Sequence, residues 1–108
     1  MMHTILVMPE GSLGEGQAKQ FNFGPRKGII YNDAGMLKAY ENACTHMGGT
    51  TDLQGDVLHC RMHHAEFDPC TGARLCGQAP EGSYLPSLKI KIENGNVFVL
   101  WEIFDAFE

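Results

Sequence analysis

The sequence predicts an all-β fold in which a ligand-rich segment is inserted between an early hairpin and a closing one. Three observations predict it. Apolar residues recur at every second position in short segments rich in Val, Ile and Phe. Thirteen glycines and five prolines punctuate those segments. No stretch sustains the 3.6-residue period of an amphipathic helix.

Taken in order, "KGIIYN" at 27–32 reads as a strand and "NDAG" after it as a turn. "MLKAYE" at 36–41 reads as the returning strand, because a helix of that length does not hold itself. "DVLHC" at 56–60 follows a "QG" turn at 54–55 and reads as a strand. "AEFDPCTGAR" contains Asp-Pro and Thr-Gly, so the chain turns around 69–72. "LKIKIENGNVFVLWEI" is the clearest hairpin. Leu88, Ile90 and Ile92 alternate with Lys89 and Lys91, "ENGN" turns, and Val97, Val99 and Trp101 share one face. The tail "WEIFDAFE", with Trp101, Ile103, Phe104 and Phe107, is expected to be a last strand capping the core rather than an exposed interaction patch. His3 falls near an end that is expected to fray.

One hundred and eight residues make one domain, 1–108, with no room for a second catalytic one. The balance of 8 basic against 13 acidic residues gives a net charge of −5, which argues against nucleic-acid binding. An acidic surface steers a basic protein partner or serves solubility. No apolar run approaches the roughly 20 residues of a membrane span. "MMHTILVMPEG" has no basic region and meets Pro9 and Glu10 too soon for a secretory signal. A reducing cytoplasm is therefore expected, where clustered Cys and His favour metal over disulfides.

Residues 44–68 hold two of the four cysteines and four of the five histidines. They form two mixed pairs, Cys44-x-His46 and Cys60-x-x-His63, with thirteen residues between them. Side chains two apart in extended chain lie on one side, and a two-residue gap suits a tight loop. A structural zinc site accepts two thiolates and two imidazoles, but its usual order puts both Cys in one pair and both His in the other. A mixed pair on each loop suits a two-metal cluster, with both Cys on one iron and both His on the other.

This stretch resembles the Rieske motif C-x-H … C-x-x-H, and most of all that of soluble Rieske ferredoxins. "LPSLKIKIENGNVFV" at 85–99 is similar to the family's closing hairpin, and "GQAPEGSYLP" at 77–86 to its proline loop. "MPEG" and "AGMLKAYENACTH" also stand where such ferredoxins carry like segments. The spacer is a few residues shorter than is usual in ferredoxins of aromatic-ring dioxygenases. The resemblance implies a Rieske fold: an antiparallel β-sandwich or barrel core with an inserted cluster-binding subdomain at about 43–80. It implies one Rieske [2Fe–2S] cluster per chain, with Cys44 and Cys60 on the inner iron and His46 and His63, through Nδ1, on the outer, redox-active one. An electron would then leave through His46 or His63.

High-potential members carry a Ser and a Tyr two and four residues after the second ligand His, where this chain has Ala65 and Phe67. They also join the two loops by a disulfide whose positions here are Gly49 and Met62. Lacking both devices, the centre is expected towards the bottom of the roughly −150 to +300 mV Rieske range.

The implied function is a one-electron carrier passing electrons from an NAD(P)H-dependent flavoprotein reductase to a terminal oxygenase. The carrier is not itself an enzyme, and it is expected as a monomer or weak oligomer. The alternatives are the small subunit of a nitrite reductase-like oxidoreductase and a zinc-stabilised binding module. Length excludes an oxygenase large subunit. Cys70 and Cys76 are expected as free, part-buried thiols rather than a local disulfide or extra ligands. His64 is expected as an exposed neighbour of the cluster rather than a docking or proton-linked group, and His59 as pointing away from Cys60. Met47, Met62 and Pro80 are expected to shield the cluster, and Asp68 to brace its loop.

Overall fold

A computed structural model describes residues 2–42, 50–60, 64–77 and 82–102. Those residues form ten strands and no helix. β1 (Met2–Pro9), β2 (Ala18–Phe23), β3 (Arg26–Asp33) and β4 (Met36–Glu41) come first. β5 (Thr51–Gln54), β6 (Val57–Cys60), β7 (Glu66–Phe67) and β8 (Arg74–Cys76) follow, and β9 (Ser87–Glu93) and β10 (Asn96–Glu102) close the chain. Every pairing between them is antiparallel. Six strands form one sheet in the order β1-β10-β9-β4-β3-β2, and β5 to β8 form a second in chain order. The small sheet is thus an insertion between β4 and β9, which bears out the all-β reading.

The hairpins follow from local chemistry. The β3–β4 turn places Ala34 and Gly35 at φ 51° and 98°, and the β9–β10 turn places Asn94 and Gly95 at 52° and 77°. Positive φ at both central residues matches the right-handed twist of the flanking strands. Asn and Gly accept it readily. Ala34 accepts it with help from Asn32, whose Oδ1 accepts from the Gly35 amide at 2.7 Å.

β3 and β4 are a wall shared by two cores. Ile30 and Ala39 face a cluster with Met8, Val97 and Val99. Their neighbours Ile29 and Tyr40 face the other way, onto Leu58, Cys60, Ala65, Phe67 and Leu85. Successive side chains on a strand point to opposite faces, so the "GII" run at 28–30 is buried on both sides. The second core is what holds the small sheet against the large one.

Three expectations change. His3 does not lie on a frayed end: it pairs with Trp101 in the β1–β10 ladder and its ring stacks on the indole at 5.5 Å. Ile92 continues the alternation of Leu88 and Ile90 in sequence, but it is exposed. β1 and β2 are additional strands that the sequence pattern did not mark. The tail is a strand through Glu102, while Ile103, Phe104 and Phe107 lie outside the described residues.

Candidate metal centre

Cys60 ends β6 with its side chain fully buried, against Leu58, Ala65 and Phe67. Its amide donates to the Ala65 carbonyl at 2.9 Å, closing the second ligand loop at its base. His64 lies in that loop at φ 54°, a left-handed conformation uncommon outside Gly, Asn and Asp. Gly77 lies against it: a Cβ there would come within 2.4 Å of the Ala65 Cα and the His64 carbonyl oxygen. Only glycine fits that approach, and its φ of 100° favours glycine independently.

The first ligand loop is closed by side-chain chemistry. Asn42 Oδ1 accepts from the Thr51 amide and hydroxyl, both at 2.8 Å, and Asn42 Nδ2 donates to the Thr51 carbonyl at 3.0 Å. Thr51 is the ladder partner of Cys60. The described chain therefore resumes in the small sheet at Thr51, directly opposite Cys60. Cys44, His46 and His63 themselves lie outside the described residues, as do Met47, Gly49, Met62 and Pro80. Of the four residues expected as ligands, the structure describes Cys60.

The far side of the small sheet is braced as expected of Asp68. Its Oδ1 accepts from the Cys70 amide at 2.8 Å and its carbonyl from the Gly72 amide at 2.6 Å. Two side chains of β4 reach the same turn. Tyr40 donates its hydroxyl to the Pro69 carbonyl at 2.8 Å. Lys38 Nζ donates to the Cys70 carbonyl and to Asp33 Oδ2, each at 2.9 Å. Burial pushes the Tyr40 phenol up to about 12, and the Lys38 hydrogen bond holds the Asp33 carboxyl below its ordinary value.

Cys70 and Cys76 form no disulfide. Burial raises the Cys70 thiol, and a hydrogen bond to Glu66 Oε1 at 3.2 Å raises that of Cys76. Both therefore favour the protonated form, the opposite of a metal-binding thiolate. Cys76 is exposed, not part-buried as expected. His59 does face away from Leu58 and Cys60, and its ring lies 5.7 Å from that of His64. Among the described residues, no three His, Cys, Asp or Glu converge on a second metal position.

What sequence reasoning missed is Asn42 and Gly77. "NAC" reads as plain loop, and a glycine among thirteen carries no mark of the close approach it permits.

The described part of the site fits an iron–sulfur group. A thiol is held dry at a strand end, and the two loops that carry the paired donors are rooted opposite one another. The Rieske [2Fe-2S] domain model matches residues 3–89. The ferredoxin component of the 2,4-dinitrotoluene dioxygenase system of Burkholderia sp. (strain RASC) is 30% identical over 87 residues, covering 78% of this chain and 82% of that protein. The cytochrome b6-f complex iron-sulfur subunit of Chlorobaculum tepidum is 30% identical over 101 residues, covering 92% of this chain but 54% of the subunit, about half its length. A chain in the solved complex of reduced oxygenase and oxidized ferredoxin in carbazole 1,9a-dioxygenase superposes with a TM-score of 0.71 at 25% identity, covering 89% of this chain and 91% of that one. A family match over most of the chain, on a fold that roots both ligand loops at one end of a hairpin, shows that this protein belongs to the Rieske [2Fe–2S] domain family.

Proposed function

We propose that this protein is a one-electron carrier of the oxygenase-ferredoxin kind, taking electrons from an NAD(P)H-dependent flavoprotein reductase and passing them to a terminal oxygenase. The observation that carries the reading is its likeness, across most of both chains, to a relative named as the ferredoxin component of a dioxygenase system. Residues 1–108 act as a single Rieske domain, with 43–80 as its cluster-binding part. No helix among the described residues is long and apolar enough to cross a membrane, which accords with a cytoplasmic carrier.

Cys44 and Cys60 would hold one iron and His46 and His63 the other. When bound, such a cluster supplies exchange of a single electron. The chain's own residues govern how readily it does so. Leu58, Ala65, Phe67 and Leu85 keep water from the Cys60 sulfur. A dry apolar wall disfavours the added negative charge of reduction, so it lowers the potential. Ala65 and Phe67 are fully buried and carry no hydroxyl to donate to a cluster sulfur. Both features support a low potential, and a redox titration giving a midpoint well above about +100 mV on the Rieske scale overturns that part of the reading. The function is tested by reconstitution. A purified reductase and terminal oxygenase should turn over only when this protein is added. Turnover at the same rate without it excludes the carrier role.

A further inference from the structure

We propose that Asn42 is a positioning residue for the cluster, fixing Thr51, the ladder partner of Cys60, against β3. The inference rests on reading Cys44, His46, Cys60 and His63 as the ligands.

Asn42 is 2% exposed and Thr51 is fully buried. The Asn42 amide engages the amide and the carbonyl of Thr51, reproducing with one side chain the two bonds of a β-bridge. Its acceptor oxygen also takes the Thr51 hydroxyl. Asn42 is itself anchored, because its amide donates to the Lys27 carbonyl of β3 at 2.8 Å. The other end of the clamp leads to the ligands, since Thr51 faces Cys60 in the ladder and Cys60 is tied to Ala65. A continuous set of contacts thus runs from β3 through the Asn42 side chain and Thr51 to Cys60 and Ala65. Gln20 of β2 adds one support, donating Nε2 to the Thr51 carbonyl at 2.8 Å.

The side chain has no substitute. Without it the Thr51 amide is left buried and unpaired. The backbone at Thr51 then loses its anchor, and the ladder partner of Cys60 shifts or opens to water. Solvent access and hydrogen bonding at the ligands set the potential and the retention of an iron–sulfur group.

The experiment uses the holoprotein with Asn42→Ala, Thr51→Val and Thr51→Ser. The readouts are the EPR spectrum after dithionite, the midpoint potential and the rate of iron release to a chelator. Asn42→Ala is expected to release iron about tenfold faster, the equivalent of losing one buried hydrogen-bond partner. It should also shift the g values and the midpoint. Thr51→Val removes the hydroxyl alone and should move the same readouts less, while Thr51→Ser keeps it and should release iron more slowly than Thr51→Val. A merely structural residue lowers thermal stability and leaves spectrum, potential and release rate unchanged; that result overturns the inference. If Asn42→Ala does not fold, equal spectra and release rates in the two Thr51 variants overturn it. A wild-type protein without the two-iron spectrum overturns the ligand reading itself, and this inference with it.

Discussion

The two sheets of this protein are built by different means. Strands of the larger sheet run six to eight residues, whereas those of the smaller one run two to four. A long antiparallel ladder holds its own register, because one face is buried and a slip of one residue would expose it. A two-residue strand such as β7 supplies too few ladder bonds to do so. The small sheet is therefore held from outside, by Asn42 on Thr51, by Tyr40 and Lys38 on the 68–72 turn, and by the apolar core centred on Leu58 and Phe67. The smaller sheet, which holds Cys60, is the one whose shape depends most on single side chains.

The largest effect that tests this contrast is loss of the cluster. Cys60→Ser should abolish the visible absorbance and the EPR signal of the reduced protein, while far-UV circular dichroism keeps its β signature. Amide exchange should then rise at 57–60 and stay slow at 97–100. Loss of the whole fold would show that the larger sheet is not independent of the site.

Phe67→Ala opens the second core and should cost about 3–5 kcal/mol in denaturant unfolding, with faster iron release. Val99→Ala in the first core should also lower stability, yet leave the EPR spectrum unchanged. Equal spectral changes in the two variants would erase the distinction between the regions.

Gly77→Ala forces a Cβ into the Ala65 backbone at a φ that disfavours it. The expected cost is about 1–3 kcal/mol, read as a lower unfolding midpoint and a more labile cluster.

Tyr40→Phe is the mildest, at about 1 kcal/mol for one hydrogen bond. Its pH dependence has a defined sign. Burial raises the folded-state value to about 12, so the folded chain holds this proton more tightly than the unfolded one. The contribution is complete below the ordinary value near 10 and is lost as pH rises through about 12. A phenolate absorbance titration should show a last step near pH 12, and Tyr40→Phe should remove that step.

Much of the fold was legible because it is local. β3, β4, β9 and β10 announce themselves by alternation and by turn residues, and their observed limits differ from the expected ones by few positions. β1 was not legible, because its partner β10 lies at the other end of the chain, as in the pairing of Thr4 with Leu100. β2 was not, because "AKQFNF" has a single strongly apolar pair, Phe21 and Phe23, among polar neighbours. β7 and β8 are too short to show a period.

The residue order by itself determined the all-β class, the early and closing hairpins, and the spacing of the mixed pairs Cys44-x-His46 and Cys60-x-x-His63. Those are properties of spacing and residue type, which a linear chain displays. Only the tertiary structure decided that Ile29 and Ile30 serve different cores, that His3 stacks on Trp101, that Gly77 admits the loop beside it, and that Asn42 closes the segment before Thr51. Each of these depends on which distant backbone lies alongside, and that is settled by the burial of the whole chain rather than by any stretch of it.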